Sequence, residues 1–213
     1  AEDFAWQNLR GKTIIGGRKG GMPEMTLEYV MRKNGVIPHE DATVDTSVQF
    51  NMMAGAFVGG EADYVALFEP TATEVDLAGQ GVVLCSIGEQ SGEIPYTAYF
   101  AAQSYLTENA DTVLRFTRAI ARGQEWVYAH TDRELAEAIV GYFPDTSVEV
   151  LEKVAARYKG IRAWKETPDM KQEALERLET VMEQAGELSQ RVAYEALVEN
   201  EFAYHVMAEM GQK

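Results

Sequence analysis

A chain of 213 residues can hold one large domain or two small lobes, each with its own core. Its 46% hydrophobic and 25% charged residues are the composition of an ordinary globular protein. The net charge of −15, from 34 acidic and 19 basic residues with no basic stripe, argues against a nucleic-acid partner and against an anionic membrane surface. No stretch approaches the ~20 apolar residues of a membrane-spanning helix.

The first elements alternate strand with helix. Residues 13–17 form a short β-branched strand that breaks into Gly16-Gly17-Arg18-Lys19-Gly20-Gly21 and opens onto a helix beginning Met22-Pro23-Glu24. Four glycines in six positions let backbone N–H groups approach a small molecule. Pro23 suits a helix start because its missing N–H has no intrahelical partner there. Glu24 places negative charge where the helix dipole favours it. The loop has neither the Gly-Lys-Ser/Thr of a P-loop nor the G-x-G-x-x-G of a dinucleotide fold, so it reads as a ligand-binding corner or as a plain turn.

The helix over residues 22–35 carries Leu27, Val30, Met31 and Asn34 on one face and closes at Gly35. Strands are expected over residues 42–47, 63–68 and 82–87, with helices from Gln49 to Gly59-Gly60 and over residues 71–78. Single helices between strands imply parallel pairing and right-handed crossovers, hence a four-stranded α/β lobe.

After Gly88 a polar connector, Glu89-Gln90-Ser91-Gly92-Glu93-Ile94-Pro95, leads to a strand over residues 96–102. The rest is helical. A long helix capped by Asn109 or Asp111 carries Val113, Phe116, Ile120, Gln124 and Val127, and another covers residues 133–142. Ser147 caps a third, with Val148, Leu151, Val154 and Tyr158 inward. Pro168 starts a fourth, with Met170, Ala174, Leu178, Val181 and Met182 as its stripe, and a last helix runs over residues 197–210. These apolar faces expect a sheet or each other, yet this half offers only one strand to cover.

The remaining chemistry-bearing residues have plain structural readings. Cys85 is the only cysteine and lies in an apolar run, so it is a small core residue rather than a nucleophile or half of a disulfide. His39, His130 and His205 stand on separate segments without metal-ligand spacing, which makes them surface or capping residues and leaves no metal site. Met22, Met25 and Tyr29 form a helical stripe that reads as core. No nucleophile–base pair stands out, so no catalytic residue and no cofactor are expected. The opening Ala1-Glu2-Asp3-Phe4 lacks signal-peptide character, so for an exported protein the targeting segment is expected to have been removed.

Leu9-Arg10-Gly11-Lys12-Thr13-Ile14-Ile15-Gly16-Gly17 followed by Gly20-Gly21-Met22-Pro23-Glu24-Met25-Thr26-Leu27-Glu28-Tyr29 resembles the solute-binding proteins of ABC importers. The resemblance is narrower still to the group that takes up sulfonates, nitrate and thiamine pyrimidine precursors. Gly60-Glu61-Ala62-Asp63-Tyr64, Phe68-Glu69-Pro70, Pro95-Tyr96-Thr97, Ala102-Gln103-Ser104-Tyr105-Leu106, the end of the long helix at Trp126–His130 and the closing Leu197-Val198-Glu199-Asn200-Glu201-Phe202 extend it over nearly the whole chain.

The resemblance implies a periplasmic-binding-protein-like α/β fold with two lobes. Residues 1–93 would be the second lobe with hinge segments. Residues 94–213 would be the return strand and outer helices of the first lobe, whose opening polypeptide, or a second chain, would supply the sheet beneath them. It implies a small-molecule ligand, an ABC permease and its ATPase as partners, no enzymatic activity, and a periplasmic or cell-surface lipoprotein location. Carried over by position, the ligand-binding residues are Arg18, Gly20, Gly21, Met22 and Glu24, then Phe68, Glu69 and Pro70, and Glu89 with Tyr96. Sulfonate-binding members place hydroxyl residues at the helix start, where this chain has Gly20-Gly21-Met22-Pro23. An aminopyrimidine or other nitrogen heterocycle fits better, with Glu69 or Glu89 accepting from ring amino groups and Tyr96 or Phe68 stacking. Three alternatives stay open: a binder of sulfonate or another small anion, an enzyme of thiamine-pyrimidine biosynthesis on the same scaffold, and a truncated or regulatory protein that keeps only the second lobe's binding surface.

Overall fold

The computed structural model describes residues 4–211. The backbone forms two compact units, Ala1–Ile94 with Arg177–Gln190 and Pro95–Glu176 with Arg191–Lys213. Among the described residues no helix is long and apolar enough to cross a membrane.

The first unit is built on a parallel sheet of three short strands, β1 (Thr13–Ile15), β2 (Thr43–Asp45) and β3 (Tyr64–Val65), in the order β2-β1-β3. Ile14 pairs with Val44 on one side and Tyr64 on the other, and Ile15 with Asp45 and Val65. Side chains alternate across a strand, so Ile14, Val44 and Tyr64 share a face. That face meets Leu27, Val30, Met31 and Val36, with Trp6 and Leu9 from a 3₁₀ turn (Trp6–Leu9) completing the core.

α1 (Met22–Lys33) connects β1 to β2, and α2 (Met53–Val58) connects β2 across β1 to β3. The two crossovers run in opposite directions, and right-handed connections therefore put these helices on opposite faces of the sheet. α1 ends where Gly35 adopts φ +74°: the Gly35 amide donates to the Arg32 carbonyl and the Val36 amide to the Met31 carbonyl at 2.9 Å. That pair of hydrogen bonds is a Schellman motif, which the glycine makes sterically free.

After β3 come α3 (Thr71–Leu77) and α4 (Ile87–Ser91), the latter packed on α1. The fourth strand expected over residues 82–87 is absent. Residues 81–86 pair with no strand, Val82 is 66% exposed, and none of its neighbours in that run is fully buried. A continuous apolar run becomes a parallel strand when both its faces are covered. Here they are not, and Ser86 instead caps α4, its Oγ accepting from the Glu89 amide.

The second unit is helical. α5 (Gln103–Glu108) and α6 (Ala110–Ala129) are followed by α7 (Asp132–Ile139), a 3₁₀ turn (Val140–Tyr142) and α8 (Val148–Gly160). The division between the units falls within α9 (Gln172–Gln184), and α10 (Tyr194–Leu197) and α11 (Glu201–Met210) complete the chain. α7 packs on α8 and α11 on α6. Leu151, Val154 and Ala155 of α8 are buried, and Ser147 caps the helix by accepting from the Val150 amide. The single last helix expected from Leu197 is broken after α10: the Asn200 side chain bonds to the Met170 amide and carbonyl and holds the chain out of helix there.

The strand expected over residues 96–102 is also absent. All seven residues are exposed and none joins a sheet, with Tyr99 75% and Phe100 98% exposed. A strand exists only beside another strand, and among the described residues no strand pairs with this segment. Tyr99 meets the ring of Phe116, itself 45% exposed, edge-on at 4.7 Å. With its small parallel sheet, crossover helices and helical remainder, the chain is an α/β protein of the periplasmic-binding-protein-like class.

Candidate ligand site

The parallel strands direct three loops to one edge of the sheet, the carboxyl edge. Sheet pairing continues into two of them: the Gly16 amide donates to the Asp45 carbonyl at 3.0 Å and the Ala66 amide to the Ile15 carbonyl at 2.9 Å. Because the chain leaves β1 toward β2 but returns to β3 on the other side, the β1/β3 boundary is a topological switch point. Open α/β sheets bind ligands at such crevices. The two loops that flank it, after β1 and after β3, are the glycine loop and the Phe68-Glu69-Pro70 corner.

The glycine loop is shaped by close approach. A Cβ on Gly16 would lie 2.6 Å from Val44 Cγ1, and one on Gly21 would lie 2.8 Å from the Arg18 carbonyl oxygen. Gly17 and Gly20 have φ of +96° and +70°. The Gly21 amide donates to the Arg18 carbonyl, which folds the loop on itself and leaves Arg18 and Lys19 exposed at the tip. The Glu187 carboxylate stands 3.1–3.3 Å from where a Gly20 Cβ would be. That carboxylate makes no ion pair among the described residues, and sequence distance hid it from the site.

At the β3 corner, the Phe68 ring meets that of Phe50 at 5.7 Å. Phe68, Glu69 and Pro70 are all half-buried. Glu69 Oε2 accepts from the Thr73 amide at 3.0 Å, so this carboxylate serves the first turn of α3. Glu89 is exposed in the first turn of α4. Burial, and secondarily the charge of Glu89, push the Cys85 thiol up, away from the thiolate that a nucleophile needs. Tyr96 lies in the second unit and is 57% exposed.

Glu24 does not face outward from the loop. It is buried beneath it, its Oε2 accepting from the Gly20 amide at 3.1 Å. One turn on, buried Glu28 receives Arg32 at 2.8 Å and His39 Nε2 at 2.7 Å. Carboxylate and imidazole atoms of Glu24, Glu28 and His39 lie within 4.8 Å of one another. Arg32 supplies a cation to this group, which forms an internal ion-paired network. The i, i+4 spacing of Glu24 and Glu28 is visible in the sequence, but the arrival of His39 is not. His130 Nδ1 bonds to the Trp126 carbonyl and its ring stacks on that indole, while His205 pairs with Glu209; both are local helix contacts.

The structure thus brings Arg18, Gly20, Gly21 and Met22 to the same sheet edge as Phe68, Glu69 and Pro70, and draws Glu24 behind the loop. Residues 5–134, more than half of the chain and including both loops, match the family described as NMT1/THI5 like. Over 208 residues the chain is 41% identical to the Bacillus subtilis (strain 168) protein named "Putative binding protein YtlA", a match that takes in 98% of this chain and 62% of that protein. The chain therefore spans less than two thirds of the length of this curated relative. By the extent of these matches, the chain belongs to the NMT1/THI5-like family.

Proposed function

We propose that this chain is the larger part of an extracytoplasmic solute-binding protein that captures a small molecule and delivers it to an ABC permease and its ATPase. The observation that carries the reading is the meeting of the glycine loop and the Phe68-Glu69-Pro70 corner at the β1/β3 switch point, in a chain whose relative is named as a binding protein. The lobes we assign are residues 1–93 and 94–213, with residues 177–190 joining the first. Polypeptide outside the present numbering supplies the sheet under the helices of the second. The exposed run at residues 96–102 supports that assignment. We place the protein in the periplasm or, as a lipoprotein, on the cell surface. Its role is binding without chemistry, and the raised Cys85 thiol fits that role.

The ligand class we favour is an aminopyrimidine or a similar nitrogen heterocycle. The start of α1 offers backbone N–H groups and no hydroxyl, the Glu187 carboxylate adds negative charge beside Gly20, and the Phe68 ring, tilted 46° against that of Phe50, gives an aromatic wall. Arg18, exposed on the loop and without an ion pair among the described residues, supports the second reading, a sulfonate or other small anion. Calorimetric titration of the complete protein with aminopyrimidines and with alkanesulfonates separates the two. The heterocycle reading expects Phe68→Ala to weaken binding about three- to tenfold, the value of one aromatic contact, and Arg18→Gln to leave it unchanged. Tighter binding of the sulfonate, lost in Arg18→Gln, refutes it.

A further inference from the structure

Two carboxylates buried on one helix face cannot both be charged without cations to match. Glu24 and Glu28 are 5% and 4% exposed, one turn apart on α1. The groups facing them are few. Arg32, on the same helix, and His39, from the turn before β2, both bond to Glu28. From the residue 177–190 segment, Glu187 stands over Gly20 and adds negative charge. α4, packed on α1, contributes Glu89, whose field acts on Cys85. On β2, Asp45 is held by Ser47, and Arg18 and Lys19 point outward at the loop tip. Arg32 and His39 therefore bond to Glu28 and not to Glu24, although the His39 ring also lies within 4.8 Å of the Glu24 carboxylate. Glu24 is left between a second carboxylate and the Gly20 amide.

We propose that Glu24 is a positioning residue that holds the glycine loop as a neutral carboxylic acid, its hydroxyl donating to Glu28 and its carbonyl oxygen accepting the Gly20 N–H. Two contacting carboxylates that share one proton avoid the repulsion of two charges. In this arrangement Glu28 accepts from Arg32, His39 and Glu24, while Arg32 Nη1 is buried without a hydrogen-bond partner among the described residues. Burial, then the negative charge of Glu28, pushes the Glu24 carboxyl above its ordinary value of 4.5, and the Gly20 amide and the nearby His39 only partly offset them.

The sign of the pH dependence follows. A carboxyl whose folded value is raised contributes stability that is fully present below 4.5 and is lost as pH rises through the raised value. Glutamine mimics the protonated acid, since its carbonyl accepts and its amide donates. Alanine removes both bonds.

The test uses the complete protein without ligand. Glu24→Gln should keep hydrogen-exchange protection of the Gly20 amide within about threefold of wild type, whereas Glu24→Ala should lower it roughly tenfold. In infrared spectra the wild type should show a carboxylic-acid carbonyl band that persists above pH 4.5 and is missing in Glu24→Gln. Protection lost equally in both variants, or an acid band that titrates at or below 4.5, overturns the proposal. An effect on ligand affinity would rest on the reading of the loop as a ligand contact. Because exchange and infrared are measured on the unliganded protein, failure of that reading leaves this result standing, and the reverse also holds.

Discussion

Replacing Gly16 by alanine tests whether the start of the glycine loop is set by packing. The added Cβ would meet Val44 Cγ1 at 2.6 Å, Leu27 Cδ2 at 3.4 Å and Glu24 Cγ at 3.7 Å. Carbon atoms are comfortable at about 3.5–4.0 Å, so the first contact is short by roughly 1 Å. Val44 has little room to yield. It is β-branched, 5% exposed, and held in register opposite Ile14. Overpacking of this kind costs about 1–3 kcal/mol. Val44→Ala alone should cost about 2 kcal/mol, for two lost methyl groups and a small cavity. In the double variant the methyl introduced at position 16 occupies space that Cγ1 vacated, so the combined loss should fall short of the sum by about 1–2 kcal/mol. Urea-dependent hydrogen exchange at the Ile14 and Ile15 amides reads the first unit by itself. Additive losses within about 0.5 kcal/mol, or a neutral Gly16→Ala, would refute the steric reasoning.

Glu69→Ala should destabilise the first unit by about 0.5–2 kcal/mol through the lost bond to the Thr73 amide, with Glu69→Gln milder. Ligand affinity lost at unchanged stability would instead return Glu69 to the role of ligand acceptor expected from its position in the chain. Asp63 receives the Thr13 amide and Lys12, which hold its carboxyl below the usual 3.8. Its contribution is therefore present above 3.8 and lost as pH falls through the depressed value, and Asp63→Asn should flatten acid unfolding in that window. An unchanged acid limb would show that the exposed side chain does not tie β1 to the approach of β3.

Much of this molecule is legible one helical turn at a time. The glycine loop opening onto Met22-Pro23-Glu24, the buried stripe of Leu27, Val30 and Met31, the Gly35 termination and the Ser147 cap depend on neighbours three to six positions away, and each stands where periodicity and capping chemistry place it. Parallel pairing also follows locally, because crossover helices forbid the alternative. The segments over residues 82–87 and 96–102 have the composition of strands, but a strand is a property of two chains of atoms, and among the described residues no strand pairs with either. Glu24 looks, in one dimension, like a first-turn carboxylate facing a ligand. Only tertiary structure buries it under Gly20, brings His39 to Glu28 across 11 residues of sequence and stands Glu187 over the loop. Local hydrogen bonds and hydrophobic period are encoded in short windows of sequence; charge balance and strand pairing depend on what the fold brings from far away.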